Sequence, residues 1–268
     1  MKKIVVCTSW KMNLRVVESI NYAIKLNDFI DKNLPGSSEI EIFILPDFLP
    51  LYSISKELEK SRLKYGAMNC FWEDKGAYTG EVSPMFLKDI GCSYVMIGHP
   101  ERRKYLREDT EMINKKLKAC LRNDLIPVLP IIEMEKEPDI RQTCNKLKDE
   151  LLSFIDGVDK KEINKIYTIY EPAWAIGTSR TAPVEHTHQV IGELRNVLDR
   201  EFGSDIGQNQ IFLYGGGVRI NTAKEIMELD NINGIGMGKA GLNFKFFTGA
   251  IKLAMELENK LRTKKAKY

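Results

Sequence analysis

Short apolar, β-branched runs alternate with amphipathic stretches from one end of the chain to the other. Runs of four to six such residues predict buried strands, and apolar positions three and four apart predict helices. Ile4–Thr8 leads to Val16–Asn33, and Glu41–Leu45 leads to Leu49–Ser61. Leu63–Ala67 leads, after a long loop, to Met85–Ile90, and Tyr94–Ile97 leads to Glu101–Leu121. Ile126–Ile131 precedes Ile140–Ile155, and Ile166–Tyr170 precedes Val184–Phe202. Gln210–Tyr214 precedes Thr222–Leu229, and Gly234–Met237 precedes Leu242–Lys260. Strict alternation predicts a parallel sheet wrapped in helices. Eight strand-helix units close naturally into a (β/α)8 barrel; an open doubly wound sheet is the alternative architecture. No linker or low-complexity break interrupts the series, so residues 1–268 read as a single α/β domain, with residues 259–268 a basic helix end and tail.

Composition narrows the class without deciding it. The 268 residues are 43% hydrophobic and 29% charged, with a formal net charge of +3, as expected of a globular chain with ample core. The positives are scattered, apart from the C-terminal lysines, so nucleic acid is not an expected partner. Cys7, Cys70, Cys92, Cys120 and Cys144 are odd in number and carry no Cys-x-x-Cys spacing. That favours free thiols in a cytoplasmic location. The opening Ile4-Val5-Val6-Cys7 is too short for a signal peptide and is followed by Lys11; no apolar run is long enough to cross a membrane.

In a barrel, chemistry sits where strands hand over to helices. Six junctions are informative. Thr8-Ser9-Trp10-Lys11-Met12-Asn13 sets a lysine beside a bulky tryptophan, where its ammonium can neutralise an anion; an ordinary surface lysine is the other reading. Gly98-His99-Pro100-Glu101 places a histidine at a helix start, as a cap or as a neutral hydrogen-bond donor. Tyr170-Glu171-Pro172 holds a carboxylate on a rigid post, followed by a stretch with a stiff Pro172, apolar Trp174 and Ile176, and a yielding Gly177-Thr178-Ser179. This suits an acid or base under a covering loop, or a plain strand-helix connection. Tyr214-Gly215-Gly216-Gly217 and Gly236-Met237-Gly238-Lys239 offer backbone N–H groups to an anion. Residues 69–81 form a loop long enough to suggest a role of its own. Its apolar bulk predicts docking on another subunit. His186 and His188 are two apart at a helix start and would face different ways, so metal binding is not expected.

Taken together, these junctions resemble the triosephosphate isomerase family over the whole chain. The carrying segments are Trp10-Lys11-Met12-Asn13, Gly76-Ala77-Tyr78-Thr79-Gly80-Glu81, Gly98-His99-Pro100-Glu101-Arg102-Arg103 and residues 170–182. The resemblance implies catalytic roles for Lys11, His99 and Glu171. The neutral histidine at a helix start is an arrangement for which that family is itself known. It further implies substrate and phosphate contacts at Ser9, Gly177, Gly217, Gly238 and Lys239, with Glu101, Glu133, Trp174, Ser179 and Tyr214 in support. Tyr78 and Thr79 would belong to a dimer loop whose threonine tip enters the neighbour's site. A homodimer acting on a small sugar phosphate, with no metal or organic cofactor, is therefore expected. Several positions depart from the family pattern: Ser9 for an asparagine, Pro100 for a serine, Pro130-Ile131-Ile132-Glu133 for Cys-x-Gly-Glu, Ser179 for a loop glycine, Gly217 for a serine, and Lys239 for a glycine. These keep two alternatives open: an isomerase of a four-carbon sugar phosphate such as erythrulose phosphate, and a non-catalytic phosphosugar-binding paralogue. The crossed serine and glycine suggest that Ser179 Oγ reaches a backbone group of residues 215–217.

Overall fold

In the computed structural model, described for residues 2–175 and 181–265, eight parallel strands close into a ring. They are β1 (Val5–Ser9), β2 (Glu41–Leu45), β3 (Lys64–Ala67), β4 (Tyr94–Met96), β5 (Ile126–Glu133), β6 (Tyr167–Pro172), β7 (Ile211–Tyr214) and β8 (Gly234–Met237). Each pairs with its neighbour in sequence, and β8 returns to β1 with Gly234 opposite Val5. Gly234 is required at that seam, because a Cβ there would lie 1.7 Å from the Val5 carbonyl oxygen. The (β/α)8 barrel expected from the alternation is the observed fold.

The strands read as nearly continuous apolar runs because both faces are covered. Side chains at alternate positions enter the barrel: Val5, Cys7, Phe43, Leu45, Tyr94 and Met96 belong to one inner cluster. Phe43 and Tyr94 stack there at 3.9 Å between ring centroids. The intervening residues, among them Val6, Ile42, Ile44, Leu129, Tyr170 and Phe212, pack outward under the helices. Those helices are α1 (Val16–Asn33), α2 (Phe48–Glu57), α3 (Pro84–Asp89), α4 (Pro100–Leu106), α5 (Thr110–Arg122), α6 (Ile140–Phe154), α7 (Val184–Phe202), α8 (Ile206–Asn209), α9 (Ile220–Glu228) and α10 (Phe244–Lys265).

Four elements differ from the sequence reading. The stretch Glu101–Leu121 is two helices: Arg107 turns left-handed at φ 54°, and Asp109 starts α5 by accepting a hydrogen bond from Met112 N at 2.8 Å. Apolar periodicity is blind to such a break, although the cap residue was visible. The fifth strand runs on to Glu133, and the last helix continues to Lys265. The loop between β3 and α3 keeps more of its apolar bulk than expected within its own chain. Phe71 is buried and packs on Trp72 and Tyr78 at 4.0 and 4.6 Å. Arg122 and Asn123 anchor its Asp74 carboxylate at 3.0 and 2.8 Å. Tyr78 remains 43% exposed, and Thr79 is exposed beside it.

Candidate active site

The C-terminal ends of β1, β4, β6, β7 and β8 surround a cavity of about 230 Å³ lined by Ser9, Lys11, His99, Glu171, Gly217 and Lys239, among others. Drug-sized ligands occupy about 300–1,000 Å³, so this one suits a smaller substrate.

Lys11 leaves the end of β1 with a left-handed backbone, φ 52°. A lysine seldom adopts that conformation, at a cost of about 1–3 kcal/mol. The preceding Trp10 holds it there, being 1% exposed and packed on Tyr22 at 4.9 Å. The ammonium meets Glu101 Oε1 at 2.7 Å. Both partners are partly exposed, so the pair directs the lysine more than it stabilises the fold.

His99 is buried and caps α4, its Nδ1 accepting the Glu101 backbone N–H at 3.3 Å. Nδ1 is therefore the unprotonated nitrogen, and Nε2 carries the ring proton as a donor. Burial first, and then the nearby Lys11 charge, push its pKa down to about 4. The ring is neutral at pH 7. Burial and the lysine act in the same direction as the helix terminus that the sequence points to.

Glu171 is set by the inward alternation of β6. Burial pushes its carboxyl up to about 7, against the opposing pull of Lys11. Gly215 leaves its space: a Cβ there would stand 2.8 Å from Glu171 Cγ and 3.0 Å from Oε1. Gly238 opens the short 3-10 turn Lys239–Leu242, and Lys239 is exposed at the cavity rim.

A cavity thus joins a carboxylate poised to exchange protons near pH 7, a neutral imidazole donor, a lysine and a glycine-lined end. The family model for triosephosphate isomerase matches residues 4–254. The chain belongs to the triosephosphate isomerase family. A triosephosphate isomerase of Alkaliphilus oremlandii is 37% identical over 251 residues, covering 94% of this chain and 99% of that relative. One of Dictyoglomus thermophilum is 36% identical over 94% of this chain and all of the relative. A third, of Dehalococcoides mccartyi, is 37% identical over 97% of this chain and all of the relative. Family membership makes the chain an isomerase.

Around this cavity the supporting residues fall into two groups. Ala182 N donates to Tyr214 OH at 3.3 Å, and Thr181 Oγ1 donates to the Gly217 carbonyl at 2.9 Å. Gly177 and Ser179 lie outside the described residues, as does the suggested Ser179 contact; the hydroxyl seen to meet the β7 glycines is that of Thr181. Glu133 meets Tyr170, Thr143 and His186, and Trp174 stands beside them. Sequence reasoning weighed His186 only as a metal ligand, gave Gly215 only a backbone role toward an anion, and gave Thr181 no role of its own. Their signals were present: a histidine in the first turn after β6, a hydroxyl at the loop's return, and a glycine opposite the carboxylate. His188 turns away from His186, to Asp230 at 3.2 Å. Among the described residues no group of three or more His, Cys, Asp or Glu side chains is placed to hold a metal. No described helix is long and apolar enough to cross a membrane.

Proposed function

We propose that the chain interconverts dihydroxyacetone phosphate and glyceraldehyde 3-phosphate through an enediolate. The observation that carries this is the pair of opposite pKa displacements in one cavity, with Glu171 raised to about 7 and His99 lowered to about 4. A base works best near the operating pH, and a neutral imidazole polarises a carbonyl without surrendering its proton outright. Glu171 takes the carbon-bound proton next to the carbonyl. His99 Nε2–H donates to the oxygen that gains negative charge and moves the proton between the two oxygens. Lys11 stabilises the enediolate, and Glu171 returns its proton to the neighbouring carbon. Ser9 borders the sugar end, while Gly217, Gly238 and Lys239 receive the phosphate, with Lys239 adding a cation. Assay of the purified protein against three- and four-carbon ketose phosphates tests the reading. Turnover of the triose phosphate is expected, and binding without turnover would favour the non-catalytic phosphosugar-binding paralogue instead.

We further propose that the working form is a cytoplasmic homodimer. Support comes from the exposed apolar side chains on the segments following β1, β2 and β3: Met12, Val17, Leu49, Tyr52, Tyr78 and Phe86. These segments are neighbours around the ring. Exposed apolar side chains on neighbouring segments suit an interface, and Tyr78 and Thr79 lie exposed on the long loop after β3.

A further inference from the structure

Glu133 is a buried carboxylate, 4% exposed at the end of β5, that the chemistry above does not use. Tyr170 on β6 donates its hydroxyl to it, and Thr143 on α6 does so at 3.2 Å. His186 Nε2, from the first turn of α7, lies 3.0 and 3.1 Å from its two oxygens. A charged carboxylate only accepts, so Nε2 carries the proton of that ring. Burial works against charge on Glu133, but the bonds from His186 and Tyr170 outweigh it and hold the carboxyl below its usual range. Trp174 stands edge-on to the His186 ring, 5.9 Å between centroids and 78° between planes. Its Nε1 is buried without a hydrogen-bond partner, yet it is near enough to Glu133 to help hold the carboxylate charge. A buried donor left without an acceptor costs its desolvation penalty, which a bond to the nearby carboxylate would recover.

We infer that His186 is a positioning residue of the isomerase site. It fixes Glu133 so that one carboxylate braces Tyr170, next to the base Glu171, and faces the unsatisfied N–H of Trp174. The base is thereby flanked by Tyr170, which is bonded to that carboxylate, and by Trp174, whose free N–H has the same carboxylate beside it; α7 sets where the carboxylate points. Without His186 the carboxylate keeps Tyr170 and Thr143 but loses the partner that spans both its oxygens.

This inference rests on the isomerase reading for its kinetic consequence alone. The test compares His186→Leu and His186→Gln in the wild type and in a Trp174→Phe background, measuring triose phosphate turnover. In parallel, the indole N–H resonance of Trp174 is followed as phosphoglycolate, whose carboxylate mimics the enediolate, is added. His186→Leu is expected to lower kcat about tenfold with KM little changed, as residues sharing one network couple. His186→Gln, which keeps an N–H donor, is expected to recover most of that loss. In the Trp174→Phe background the His186→Leu effect should largely vanish, and in His186→Leu alone the indole signal should lose its ligand-induced shift. Equal losses in both backgrounds, or a folded His186→Leu protein with wild-type kcat, would overturn the proposal. An inactive wild type would sink the isomerase reading instead, and the indole resonance would still decide the role of His186.

Discussion

Glu171 and His99 ionise in the reverse of their ordinary order, and both displacements begin with burial. For catalysis the consequence is a rate that depends on one proton in the neutral range. We expect kcat/KM to rise with pH through about 7 as Glu171 loses its proton, and then to level. His99, already neutral, adds no inflection there. For stability the sign is opposite. The unfolded chain ionises Glu171 near 4.5 and the folded chain near 7. Between those values the folded state holds the extra proton, so its stability falls as pH rises through the window. Glu171→Gln should therefore melt higher than wild type at pH 8 and lose that advantage at pH 4.5, as calorimetry would show. The same variant should lose about 10²–10⁴ in kcat, roughly 3–5 kcal/mol of barrier. A variant that kept its turnover would place the base elsewhere. Lys11, His99 and Glu171 were legible in the sequence because each stands at or just beyond the C-terminal end of a strand. The partners that tune them were not: Gly215 meets Glu171 only through the pairing of β6 with β7.

Between strands and helices, the connections decide what each side chain can reach. The glycines after β7 serve two purposes, since Gly215 admits the carboxylate and Gly217 receives the Thr181 hydroxyl. A methyl group at position 215 would meet Ile169 Cγ2 at 2.4 Å as well as Glu171 Cγ at 2.8 Å. Gly215→Ala should therefore push the base aside. Displacements of about 1 Å cost on the order of 10²-fold, so kcat should drop by that order while the protein stays folded. Circular dichroism and a turnover assay check both halves. The eight units were legible because their periodicities differ so plainly. The split of α4 from α5 escaped because a single left-handed residue, Arg107, leaves no mark in an apolar pattern.

At the scale of the molecule, the proposed dimer rests on the apolar side chains exposed after β1, β2 and β3. Tyr78→Asp and Phe86→Asp should each shift sedimentation toward a monomer and lower turnover, the more so on dilution. Unchanged sedimentation at micromolar concentration would remove the dimer from the account. This surface could be only partly anticipated. The aromatic residues of the β3–α3 loop were visible in sequence, but the internal stacking of Phe71 on Trp72 and Tyr78 depends on the loop's own fold.

The seam between Val5 and Gly234 also has a consequence for synthesis. A ring whose first strand pairs with its last leaves its edges open until that last strand arrives. Chains are made at about 5–20 residues per second, so β1 waits on the order of 10–50 s for β8. During that interval the unpaired edges of β1 and of the newest strand are exposed to other growing chains. A ribosome-bound chain halted before Gly234 should stay open to protease, and one extended well past Met237 should resist it.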